Sequence, residues 1–363
     1  MHAMSDIKKT IKTPFYKMVD HVLSTHHVRE QLWQAGRELF TQAHPPSLAR
    51  VPLAPPPAQY GLPAAPTASA AADQAPIFIT ARFRSGSTFL WQLFRHIERV
   101  TCYYEPLNEA QWFRKSPSNA RVDTTHIGVA DYRAEYDGME DLAACFDPRW
   151  AFHSLYMDET HHNPQMARYI SELISRARDR AVLQFNRVDF RLPWLRAHFP
   201  EARILHLYRH PREQWMSIVG KGVRIGPDDI IDADQTSASD GFYTLEWARD
   251  LRHVFPLLEP AGKHPYALHY LLWRLSYTFG RAYSDVSVAY EALITDFERI
   301  AGDMLEAVGI RHADIGQLAG LNHGAEKTRW PGYADDAWFS AQETQCEREL
   351  QAFFSAPRPT GAG

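Results

Sequence analysis

Two apolar runs in this chain each lead into a turn suited to anions, and together they restrict the fold more than any other feature. Ile77-Phe78-Ile79 leads into Arg84-Ser85-Gly86-Ser87-Thr88, and Ile204-Leu205-His206-Leu207-Tyr208 leads into Arg209-His210-Pro211-Arg212-Glu213-Gln214-Trp215-Met216-Ser217. A buried strand that delivers such a turn to a helix N-terminus presents unpaired N–H groups and the positive end of the helix dipole to a phosphate. Two such turns on one sheet imply a ligand with two separate phosphate groups.

The rest of the chain repeats the strand and helix pattern. Phe89, Leu90, Leu93, Phe94 and Ile97 share one face of a helix after the first turn. Thr101–Tyr104 reads as a strand stopped at Glu105-Pro106, since proline cannot donate to a ladder. Ala181–Phe185, Arg203–Tyr208 and Val286–Tyr290 read as further strands, with helices at Pro193–Phe199 and Leu268–Phe279 between them. The predicted class is α/β: a three-layer P-loop-like fold with a central parallel sheet flanked by helices. Residues 1–43 carry Ile7, Ile11, Phe15, Val19, Val22 and Leu23 at helical spacing and form an N-terminal helical arm. Residues 44–75, with Pro55-Pro56-Pro57 and Ala70-Ala71-Ala72, form a Pro/Ala-rich linker, either an extended tether or a wrapped strap. The catalytic body is 76–363.

Composition narrows the function. A net charge of −4 over 363 residues excludes general nucleic-acid binding, which needs a basic face, so any polyanion site is local. Cys102, Cys145 and Cys346 have neither disulfide-framework nor zinc spacing, and a reducing cytoplasm is the expected location. No run of about 18 apolar residues and no cleavable leader is recognisable, so neither membrane spanning nor secretion is expected.

In the first turn Gly86 allows close backbone approach to an oxyanion, Ser85, Ser87 and Thr88 add hydroxyls, and Arg84 adds charge. A nucleoside-triphosphatase P-loop would place a lysine after the glycine, where this chain has Ser87. The segment resembles the 5′-phosphosulfate loop of sulfotransferases that use 3′-phosphoadenosine 5′-phosphosulfate (PAPS), in the arginine-first form of carbohydrate and tyrosyl-protein enzymes. The second turn fits the same resemblance. The family's 3′-phosphate motif ends a strand with arginine and places serine eight residues on, as Arg209 and Ser217 stand here. Tyr290-Glu291-Ala292-Leu293 resembles the family's structural turn, and Lys327-Thr328-Arg329-Trp330 the loop that closes over the nucleotide. The resemblance implies that Arg84, Ser85, Gly86, Ser87, Thr88, Arg209, Ser217, Lys327 and Arg329 bind PAPS, with no metal.

For the base, the resemblance offers a glutamate at the end of the second strand, and Glu105 stands there. Adjacent parallel strands would set it beside the first loop and Arg84, the other expected catalytic residue. Its alternative role is to pair with a cofactor-side arginine. Among the histidines His126, His153, His161 and His162, His153 is the second choice. Asn186 and Arg187, past the third strand, either bind an acceptor or cap the strand. The expected reaction is sulfuryl transfer to a hydroxyl or amine of a small-molecule, carbohydrate or lipid acceptor, and the arm offers a surface for homo-oligomers. A magnesium-dependent phosphotransferase and a non-catalytic nucleotide-binding interaction protein are the rival readings.

Overall fold

Five strands form one parallel sheet in the order β2-β3-β1-β4-β5: β1 Ile77–Ala81, β2 Val100–Tyr104, β3 Arg180–Phe185, β4 Arg203–Tyr208 and β5 Val286–Ala289. This is a computed structural model, and it describes residues 51–57, 74–116, 122–123, 126–219, 225–232, 243–324 and 327–356. The arm at 1–43 and most of the linker lie outside the described residues.

The strands read as continuous apolar runs because both faces of the sheet are covered. Successive side chains alternate between two cores. Ile77, Ile79, Val182, Leu205, Leu207 and Val288 point into one, where they meet α1 (Ser87–Arg95) through Leu90, Trp91, Leu93 and Phe94. Phe78, Tyr103, Leu183, Phe185 and Ile204 point into the other. That core holds Met166, Tyr169, Ile170 and Leu173 of α2 (Pro164–Arg176), and Trp194 and Leu195 of α3 (Leu192–His198).

The helices begin where local chemistry favours them. Asn163 caps α2 by accepting from the Met166 N–H, with Pro164 at the first helical position. The second anion turn opens α4 (Pro211–Val219) at Pro211, and α5 spans Thr244–Leu251. The long α6 (Pro265–Tyr283) starts at Pro265 under a His264 cap, and fifteen of its nineteen residues are buried. Beyond β5 come α7 (Tyr290–Thr295), α8 (Phe297–Ala307), α9 (Ile315–Ala319) and α10 (Asp336–Ser355), the last capped by Asp335.

Two expectations change. β3 lies between β1 and β2, so the strand carrying Glu105 is one place removed from the first loop rather than adjacent to it. The last strand ends at Ala289, and Tyr290 begins α7. Within the linker, residues 51–57 lie against the body: Val51 is buried in the core, and the Ala54 carbonyl accepts from the buried Arg274 of α6 at 2.9 Å. No helix among the described residues is long and apolar enough to cross a membrane.

Candidate functional site

β1 and β4 are hydrogen-bonded neighbours with Ala81 opposite Leu207, so the turns leaving their C-terminal ends are side by side. Side-chain hydrogen bonds join them. Arg84 Nε donates to Ser217 Oγ at 2.7 Å, Arg209 Nη1 donates to the Arg84 carbonyl at 3.3 Å, and Gln214 Nε2 donates to the Phe83 carbonyl at 2.9 Å. Burial and the nearby Arg209 charge hold the Arg84 guanidinium below its ordinary value, against the opposing pull of Asp123. Two crowded, largely desolvated cations favour an anion between them.

The Tyr290-Glu291 turn braces both loops. Gly86 holds φ +91°, and a Cβ there would come within 2.3 Å of the Tyr290 ring, so only glycine lets the ring pack against the loop. The Arg209 guanidinium lies over the same Tyr290 ring, 4.8 Å from its centre. Glu291 Oε1 accepts from the His210 N–H at 2.9 Å, where α4 begins. Gly86 is also the N-cap of α1, and no side chain caps that helix. The first-turn N–H groups of α1 therefore remain as anion donors at the loop.

A cleft of about 550 Å³ opens at this edge of the sheet. The donor motifs contribute Arg84, Gly86, Ser87, Thr88 and Arg209 to its lining. Glu105, Asn108 and Glu109 after β2, Asn186 and Arg187 after β3, and Tyr243 before α5 line it as well. Glu105, at φ +39° and 8% exposed, receives Asn108 Nδ2 and lies 3.4 Å from Arg187 Nη1. Its arginine partner is thus Arg187, not one from the phosphate motifs. Arg187 also reaches Glu109 at 2.5 Å, and Glu109 accepts from the Tyr243 hydroxyl. Burial first, then the Glu105 charge, pushes the neighbouring Tyr104 hydroxyl well above its ordinary range, so it stays protonated.

Not every expected residue reaches the cleft. Ser85 is fully buried and its hydroxyl donates to the Arg82 carbonyl at 2.6 Å, so it shapes the loop from inside. Ser217 meets the cleft only through Arg84. Arg329 is tied to α4, its N–H donating to Glu213 at 2.9 Å, and Lys327 is exposed; neither lines the cleft. Among the histidines, His153 sits 3.7 Å from Asp250, away from the lining, and His161 pairs with Asp158. His126 is the histidine of that group in the cleft, 3.3 Å from Thr88 Oγ1 and bonded to the Tyr132 hydroxyl. Glu109 and Tyr243 were not expected; a second carboxylate four residues past Glu105 in the same strand-ending turn was the available signal for Glu109.

A parallel α/β sheet with the two turns side by side at its C-terminal edge is a P-loop-like fold. The chain belongs to the Sulfotransferase family, whose model matches residues 76–257, and sulfuryl transfer is the family's general chemistry. No curated protein matches the chain. Solved structures similar to it include a sulfotransferase from Alicyclobacillus acidocaldarius, at 15% identity over 78% of this chain and 97% of that one, TM-score 0.32. The sulfotransferase domain of the Synechococcus PCC 7002 olefin synthase matches at 15% identity over 83% and 94%, TM-score 0.34. Sulfotransferase STF9 from Mycobacterium avium matches at 14% identity over 88% and 81%, TM-score 0.41.

Proposed function

We propose that this protein transfers a sulfuryl group from PAPS to a hydroxyl or amine of a small-molecule, carbohydrate or lipid acceptor, releasing adenosine 3′,5′-bisphosphate. The observation that carries the reading is the meeting of Arg84 with Ser217 and Arg209 at the edge of one cleft, although they lie far apart in the chain. In this reading Ser87, Thr88 and the first-turn N–H groups of α1 hold the 5′-phosphosulfate, while Arg209 and Ser217 hold the 3′-phosphate. Arg84 bridges the two. Lys327 and Arg329 approach from the C-terminal loop, and Ser85 acts only by shaping the turn.

The acceptor oxygen forms the new S–O bond as the bond from sulfur to the 5′-phosphate oxygen breaks. That electron pair leaves with the phosphate, where Arg84 and the helix N-terminus stabilise the added charge. The acceptor proton passes to Glu105. Such positioning and electrostatics supply the acceleration without requiring a metal. The three cysteines are buried and unpaired, which supports a cytoplasmic setting.

Calorimetry with adenosine 3′,5′-bisphosphate, and separately with magnesium ATP, tests the reading. Selective uptake of the bisphosphate is expected, and uptake of magnesium ATP alone overturns it in favour of a phosphotransferase. Labelled-sulfate transfer across acceptor classes separates an enzyme from a nucleotide-binding interaction protein.

A further inference from the structure

We infer that Glu105, Arg187 and Glu109 act as one proton-accepting unit, with Glu109 the positioning residue that keeps Arg187 neutralised when Glu105 takes the acceptor proton. The inference rests on the reading of Glu105 as the base.

Arg187 rises from the end of β3, the strand between the donor loop on β1 and Glu105 on β2. Its side chain is 2% exposed, and one Nη faces each carboxylate: Glu105 at 3.4 Å and Glu109 at 2.5 Å. The guanidinium is also fixed over the Phe83 ring, 5.0 Å from its centre, and Nε is buried without a hydrogen-bond partner. The Tyr243 hydroxyl holds the other Glu109 oxygen.

Charge counting gives the unit its chemistry. Two carboxylates and one guanidinium carry −1 together. When the acceptor O–H proton moves to a Glu105 oxygen, the unit becomes neutral and Glu109 and Arg187 remain an intact ion pair. With Arg187 and Glu105 alone, the pair starts neutral, and protonation strands a guanidinium in a nearly dry site, which is strongly disfavoured. Glu109 removes that penalty. A lone arginine beside the base would hold its proton off; an arginine shared between two carboxylates orients the base without disabling it. The other charged and titratable groups around the unit are Tyr104, Tyr132, Asp123, His126, Glu246, Arg84 and Arg209. All of them stay unchanged in the test.

Infrared difference titration of the full chain follows the C=O band of the protonated carboxyl, assigned to Glu105 by its loss in Glu105→Gln. In Glu109→Gln its midpoint should move down by about one pH unit, a tenfold loss of proton occupancy at a given pH. Glu109→Asp should restore most of the shift. Arg187→Gln leaves two carboxylates facing each other and should move the midpoint up, a result of opposite sign that guards against misfolding of the first variant. Midpoints that stay in place in both variants overturn the inference. Retained turnover of PAPS by Glu105→Gln refutes the base assignment by itself, and the rate assay reads that outcome separately from the titration.

Discussion

Arg84 at φ +63°, Glu105 at φ +39° and Tyr243 at φ +60° all hold left-handed backbone, and all three line the cleft. Such conformations cost on the order of 1–3 kcal/mol each in a non-glycine residue and persist where the surroundings enforce them. At Glu105 the twist turns a carboxylate into the cleft from a strand that is not next to the donor loop. Glu105→Gln is therefore expected to keep its affinity for adenosine 3′,5′-bisphosphate while turnover falls ~10²–10⁴-fold, as calorimetry and sulfate transfer will show. Gly86→Ala places a methyl against the Tyr290 ring at positive φ, and thermal melting should register a loss of roughly 1–3 kcal/mol. Gly86 was legible in the sequence because glycine announces its conformation. The left-handed backbone of Arg84, Glu105 and Tyr243 was not, because nothing about an arginine, a glutamate or a tyrosine signals it.

At the scale of elements, the strands were readable to within a residue or so because doubly covered parallel strands are dense apolar runs. Their order was not. The place of β3 between β1 and β2 depends on crossovers packing against both faces, which no local pattern encodes. Convergence of the two phosphate motifs was expected from their chemistry, but the bracing of both by Tyr290 and Glu291 appears only in three dimensions. Because the Arg209 charge acts on the Arg84 guanidinium, their contributions to nucleotide binding should not add. A double-mutant cycle with Arg84→Ala and Arg209→Ala, read by calorimetry, is expected to give a coupling of about 0.5–3 kcal/mol; strict additivity would mean that the loops act independently.

Among the described residues, burial lowers His206, His210, His264 and His269 below the ordinary histidine range and favours their neutral form. Burial lowers His206 and His269 to about 3 and His210 to about 4, from an ordinary 6.5. A folded value below the unfolded one means that the unfolded chain binds more protons as pH falls. The stability of the neutral form is thus complete above 6.5 and drains away as pH falls from there through about 4 toward 3. Thermal melts should show Tm declining on acidification from 6.5, with a shallower slope in His206→Gln; a flat profile down to 4.5 would contradict this burial. The core that sets this behaviour was legible as composition and periodicity, whereas the docking of 51–57 was left open between tether and strap.

Arg274 holds the Ala54 carbonyl across 220 residues and is also paired with Glu347 of α10. During translation, then, a segment that leaves the ribosome early must wait for α6 before its anchor exists. Nascent chains halted before residue 274 should expose 51–57 to protease, and full-length chains should protect it.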